Sequence, residues 1–210
     1  MSEINTPKAV LFDMDGVLID AREWHDDALN EALRIFGVEI SRSDHLSRFN
    51  GLSTRKKLNM LTAEGVIPYE LHEAIQSIKQ DRTLRIAAQM CFPIVSHQVL
   101  ITRLKALGIK VGLVTNSIRK SSEFMLEYAG LLKFMDVVVT NEDVVEGKPN
   151  PAGYLLAMEK LGVLPSETIV IEDGEYGLLA AEAAGTTVIK VNDPFEVSLE
   201  LLLPVIKELR

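Results

Sequence analysis

The chain has 210 residues, 47% hydrophobic and 25% charged, an ordinary globular balance that argues against disorder and allows one large domain or a core with a smaller insert. Its formal net charge of −8 argues against a sequence-independent nucleic-acid binder, which needs a basic footprint, and confines anion binding to a local site. A single cysteine, Cys91, excludes an intramolecular disulfide and fits a reducing, cytoplasmic setting; no apolar leader and no run of ~18 apolar residues occurs, so neither a secretory signal nor a membrane span is expected.

The first predicted element is the apolar run that opens VLFDMDGVLID (10–20). It reads as a buried strand, yet it ends in two carboxylates, Asp13 and Asp15, one residue apart. Asp20, with Glu23 three residues on, has the pattern of a capping box and is expected to cap the next helix. From about residue 19 to 90 there are helical patterns and no convincing strand. AREWHDDALNEALRIFG is amphipathic, with Trp24, Ala28, Leu29, Leu33 and Phe36 near one face; STRKKLNMLTAEG and ELHEAIQSIKQDRTLRIAAQM follow. This block reads as a helical subdomain (19–90) inserted after the first strand, with Pro93 near the return point, so that 1–18 and 91–210 form the core.

Four more apolar runs follow: KVGLVT (110–115), DVVVT (136–140), TIVIE (168–172) and TVIKV (187–191). None alternates with polar residues, so both faces of each strand are expected to be covered, as in a parallel sheet. Helical segments separate them, and Gly162 and Gly185 stand where helix C-caps belong. The expected fold is α/β, a doubly wound parallel sheet with a Rossmann-like core and an inserted helical cap.

In such sheets functional groups collect where strands end at their C-terminal edge. Asp13 and Asp15 stand after the first strand, Thr115 and Asn116 after the second, Lys148 in the GKPNP loop after the third, and Glu172 and Asp173 after the fourth. Clustered carboxylates are costly without a cation. A hard divalent ion with oxygen ligands relieves them, and Mg2+ suits a site with few carboxylates plus substrate phosphate. Lys148 and the Thr115 hydroxyl suit phosphate oxygens, and Asn116-Ser117 is expected to open a helix whose free N–H groups favour an anion.

FDMDGV, VTNS, GKPNP and IEDGEYGLLAAEAAG resemble, in order, the four motifs of the haloacid dehalogenase superfamily of phosphohydrolases, and most of all the branch of β-phosphoglucomutase and small sugar-phosphate phosphatases. The resemblance covers nearly the whole chain, the helical cap included. It implies that Asp13 is a nucleophile forming an aspartyl-phosphate and Asp15 a general acid and base. It implies that Asp13, the backbone carbonyl of Asp15, and Asp173 hold Mg2+, with Glu172 an outer partner. Thr115, Asn116 and Lys148 would grip the phosphoryl group. Gly174 stands where the family usually has serine.

In the cap, Gly51 of FNGLSTRKK resembles the glycine of a loop aimed at the active site, and His25 matches a histidine of related mutases and phosphatases. His25 is read either as a helix-surface residue or as one serving cap closure or proton handling. Arg55, Lys56 and Lys57 are either solvated helix charges or reach an anionic substrate. Where the mutase pattern has a lysine before the loop glycine and an arginine three residues after it, this chain has Asn50 and Thr54. The reading is therefore a Mg2+-dependent phosphatase of a small phosphorylated metabolite, a sugar phosphate above all. It would act as a monomer or weak dimer without nucleic acid or membrane. A sugar-phosphate mutase is the nearest alternative and a non-enzymatic ligand-binding module a more distant one.

Overall fold

The computed structural model describes residues 7–206. In chain order, β1 (Ala9–Phe12) is followed by four helices: α1 (Arg22–Arg34), α2 (Arg42–Leu46), α3 (Thr54–Ala63) and α4 (His72–Met90). Helices and strands then alternate as α5 (Val95–Ala106), β2 (Lys110–Val114), α6 (Arg119–Tyr128), β3 (Val137–Val139), α7 (Ala152–Leu161), β4 (Thr168–Glu172), α8 (Glu175–Ala183) and β5 (Thr187–Lys190), ending in the short α9 (Leu199–Leu202). They divide into two compact units: the described residues up to Asp20 with those from Cys91 onward, and Ala21–Met90. Among the described residues no single helix is long and apolar enough to cross a membrane.

The first unit is the expected parallel α/β sheet, in the order β3-β2-β1-β4-β5. β1 lies in the middle, with Phe12 opposite both Leu113 of β2 and Ile171 of β4. Ala9 and Leu11 pack into a cluster with Val114, Val139, Tyr154 of α7 and Ala180 of α8. Val10 and Phe12 point to the other face, as strand alternation requires, and are equally buried. Both faces of the central strand are therefore covered, which is why its sequence is continuously apolar. β5 departs from that expectation. It is an edge strand, so Thr187, Val188 and Ile189 are only half-buried and Lys190 is exposed. α7 ends at Gly162, in the left-handed conformation at φ 63°.

This strand order positions the site. From β1 the chain builds β2 and β3 on one side, then crosses to build β4 and β5 on the other. The C-terminal ends of β1 and β4 therefore flank the topological switch point, where crevices form in open α/β sheets.

The second unit is helical. α1 packs along α4, and Leu29, Leu33, Phe49, Leu58 and Ile75 are buried in its core. The buried amide of Asn30 bonds both backbone groups of Ile40: Nδ2 donates to the carbonyl at 2.9 Å and Oδ1 accepts from the N–H at 2.9 Å. Two expectations are corrected here. Asp20 does not cap α1: the helix begins at Arg22 with Ala21 as its cap residue and no side-chain cap, and Glu23 pairs with Arg42 at 2.6 Å instead of folding back. Lys57 is not a solvated charge: it is buried, with its ammonium 3.1 Å from Asp26 Oδ1, whereas Arg55 and Lys56 are exposed.

Candidate active site

Asp13 continues the β1 ladder, its N–H donating to the Ile171 carbonyl at 3.0 Å. The chain then turns. Leu18 and Ile19 both donate backbone N–H groups to the Met14 carbonyl, and Gly16 adopts φ 92°. Asp13 is thus buried while Asp15 is half-buried beyond the turn, where its Oδ2 accepts from the Ser117 hydroxyl at 2.9 Å.

Glu172, the last residue of β4, is 1% exposed. Its Oε1 accepts from the Lys148 ammonium at 2.5 Å and from the Tyr154 hydroxyl at 2.6 Å, and its Oε2 accepts from the Asp173 N–H at 3.1 Å. The same ammonium donates to Asp13 Oδ1 and lies 5.1 Å from the centroid of the Tyr154 ring. Lys148 therefore bridges the ends of β1 and β4 on an aromatic floor. Glu172 fits only because α8 carries glycine at 177: a Cβ there would stand 1.9 Å from Glu172 Oε1.

The charges do not balance. Burial, then the Glu172 charge, push the Asp13 carboxyl up to about 7 against the pull of Lys148, and Asp15 adds to the rise. Burial works against the Lys148 ammonium, but Asp13 and Glu172 more than offset it and hold its pKa above the ordinary lysine value. Carboxylate oxygens of Asp13, Glu172 and Asp173 lie within 4.8 Å of one another. One ammonium does not neutralise three carboxylates, so the donor set fits a hard divalent cation. Glu172 already takes three hydrogen bonds in full burial, which leaves Asp13 and Asp173 as the side chains suited to the ion.

Thr115 is buried, and its Oγ1 accepts from the Ser117 N–H at 3.0 Å. The expectation that Asn116-Ser117 opens a helix is corrected. α6 starts at Arg119, residues 115–117 form a turn held by Thr115, and the Arg119 N–H donates to Glu142 Oε2 at 2.6 Å. The Asn116 side chain, expected on phosphate, has its Oδ1 on the Lys148 N–H at 2.9 Å and its Nδ2 on the Lys148 carbonyl at 3.3 Å. The structure thus gathers Asp13, Asp15, Thr115, Asn116, Lys148, Glu172 and Asp173 at one sheet edge. His25, Gly51 and Arg55 belong to the helical unit. There His25 Nδ1 lies 3.0 Å from the Lys79 ammonium, Gly51 adopts φ 69°, and Arg55 is exposed in the first turn of α3.

Sequence reasoning passed over the Tyr154 hydroxyl, the Ser117 hydroxyl and the space that Gly177 leaves for Glu172. Tyr154 lies in an apolar stripe at helical spacing, which says core and nothing about a hydroxyl. Ser117 is read only as part of a helix start within VTNS, and nothing local says that its hydroxyl meets Asp15.

A profile described as "Haloacid dehalogenase-like hydrolase" matches residues 10–191. The chain belongs to the haloacid dehalogenase-like hydrolases. Among curated members, the validoxylamine A 7'-phosphate phosphatase of Streptomyces hygroscopicus subsp. limoneus is 32% identical over 185 residues, covering 85% of this chain and 82% of its own. The phosphorylated carbohydrates phosphatase of Thermotoga maritima is 29% identical over 181 residues, covering 85% and 82%. Among solved structures, a mutant of CbbY from Rhodobacter sphaeroides in complex with xylulose-(1,5)bisphosphate superposes with a TM-score of 0.80 at 25% identity, covering 88% of this chain and 85% of that one. The buried lysine bridge and its carboxylates therefore stand in a hydrolase of this family.

Proposed function

We propose that this hydrolase is a Mg2+-dependent phosphatase that removes phosphate from a small phosphorylated metabolite, a sugar phosphate above all, through an aspartyl-phosphate on Asp13. The observation that carries the reading is the buried Lys148 ammonium held between Asp13 and Glu172, beside the half-buried Asp173, at the switch point. The relatives named as phosphatases of phosphorylated carbohydrate and of validoxylamine A 7'-phosphate support the substrate class.

In this mechanism a carboxylate oxygen of Asp13 attacks phosphorus as the phosphate-ester bond breaks, and Asp15 gives its proton to the departing oxygen. Asp15, now a carboxylate, takes a proton from the water that attacks the aspartyl-phosphate, and the bond to Asp13 breaks to release phosphate. The Ser117 hydroxyl on Asp15 Oδ2 orients that acid. Lys148 and the Thr115 hydroxyl hold phosphoryl oxygens, so catalysis is mostly positioning and charge neutralisation. Asp13, Asp173 and the backbone carbonyl of Asp15 would hold Mg2+. When bound, the ion screens the repulsion between an anionic nucleophile and an anionic substrate. The helical unit is the proposed cap, with His25, Gly51 and Arg55 as its candidate substrate residues. The lone cysteine suits a cytoplasmic setting.

The first test is phosphate release from p-nitrophenyl phosphate with and without Mg2+, followed by a panel of phosphorylated metabolites. Release that survives chelation unchanged sinks the metal dependence. A mutase reading is less favoured because Asn50 and Thr54 are neutral where a second substrate phosphate would need cations. β-Glucose 1-phosphate offered with catalytic glucose 1,6-bisphosphate separates the two. Glucose 6-phosphate forming much faster than inorganic phosphate overturns the phosphatase.

A further inference from the structure

We propose that Asn116 is a positioning residue that fixes Lys148 through its backbone, and that position 147 is glycine because Asn116 fills the space its side chain would take. This rests on the reading of Lys148 as the group that holds Asp13 and the transferring phosphoryl.

The geometry is a two-point clamp. Asn116 Oδ1 accepts from the Lys148 N–H at 2.9 Å, and Asn116 Nδ2 donates to the Lys148 carbonyl at 3.3 Å. One planar amide thereby meets both backbone groups of a single residue, as a neighbouring strand does in the hydrogen-bonded pairs of a ladder. That fixes the direction in which the Lys148 Cα projects its side chain. The requirement is strict, because the side chain is long and its buried tip must meet Asp13 and Glu172 together.

The surrounding loop has no regular ladder of its own between β3 and α7. Its start is tied near Thr140: the Arg119 guanidinium donates to Asp143 Oδ2 at 2.6 Å, and Asp143 accepts from the Thr140 N–H at 2.8 Å. Asn116 ties the part that carries the lysine. The helical unit uses the same device, where Asn30 clamps both backbone groups of Ile40.

Gly147 supplies the independent observation. A Cβ there would stand 2.3 Å from Asn116 Oδ1, 3.2 Å from its Cγ and 3.8 Å from its Nδ2, and these are the three nearest atoms. Gly147 is not among the glycines with positive φ, so its backbone does not demand glycine. The close approach of the clamp does.

The test is a pair of double-mutant cycles with hydrogen exchange. Asn116→Ala is expected to speed exchange at the Lys148 amide and to lower kcat by roughly 10- to 100-fold, the cost of a misplaced group, with KM changed less. In a Lys148→Ala background the same change is expected to add less than about twofold to the loss in kcat. Gly147→Ala is expected to be severe alone but nearly silent on top of Asn116→Ala, because the clash has been removed. Multiplicative losses in either cycle, or unchanged exchange at the Lys148 amide, overturn the proposal. A purely structural asparagine would lower the melting temperature without coupling to Lys148. Should the wild type release no phosphate from any phosphomonoester, the phosphatase reading fails by itself. The clamp is then decided by exchange and by the Gly147 cycle read as thermal stability.

Discussion

Replacing Tyr154 with phenylalanine isolates one bond of the buried network. The ring stays beneath Lys148 and only the hydroxyl, 2.6 Å from Glu172 Oε1, is lost. A hydrogen bond to a charged group contributes about 1.5–3 kcal/mol. Glu172 keeps the Lys148 ammonium and the Asp173 N–H, so the lower part of that range applies, about 1.5–2 kcal/mol. For a chain of this size that corresponds to a drop in Tm of roughly 3–8 °C. Burial, then the Glu172 and Asp13 charges, hold the Tyr154 phenol well above its ordinary pKa. The donor stays protonated at every working pH, and the loss should be flat from about pH 6 to 9. The only tryptophan, Trp24, lies in the helical unit. Unfolding is therefore better followed by circular dichroism than by intrinsic fluorescence. Lys148 keeps both carboxylates, so kcat should fall by less than about tenfold. A Tm within about 1 °C of wild type would refute the energetic reasoning. A loss in kcat beyond about 100-fold would show that the hydroxyl takes part in the reaction.

Asp13→Asn should abolish turnover and leave the far-ultraviolet circular dichroism unchanged; activity within about threefold of wild type would remove Asp13 from the nucleophile's role. Asp15→Asn should cost roughly 10²–10⁴ in rate with poor leaving groups and less with good ones; an equal loss across a leaving-group series contradicts the acid role. If Asp13 holds Mg2+ as proposed, its carboxyl, pushed up to about 7 by burial and the Glu172 charge, would make a proton compete with the ion below that pH. Mg2+ affinity measured by calorimetry should fall about tenfold per pH unit below 7 and level off above it, and a flat profile would contradict this. Gly177→Ala puts a Cβ 1.9 Å from Glu172 Oε1, so the Glu172 carboxylate is expected to be pushed off Lys148. Breaking that buried pair should destabilise the protein by about 3–5 kcal/mol in urea unfolding, and unaltered stability would show that the helix yields instead.

The class of the fold, and the strand ends that carry the candidate site, are legible in the residue pattern alone. Continuous apolar runs separated by amphipathic helices mean strands covered on both faces, and that requirement is local enough to read residue by residue. The motif residues at the strand ends could be named for the same reason. Local patterns failed where two local solutions competed: Asp20 with Glu23 matches a capping box, but the pairing of Glu23 with Arg42, distant in sequence, is not legible in four residues. The start of α6 was misplaced in the same way, because a turn closed by Thr115 displaced the helix. That β1 lies in the middle of the sheet, so that Asp13 and Glu172 face one ammonium 135 and 24 residues away in sequence, depends on the strand order. The tertiary structure also made Tyr154 a donor on Glu172 as well as a core aromatic, and set the Asn116 amide on both backbone groups of Lys148. Hydrogen-bond partners are chosen by positions in space that burial and strand order create, and a one-dimensional pattern carries burial but not the partner.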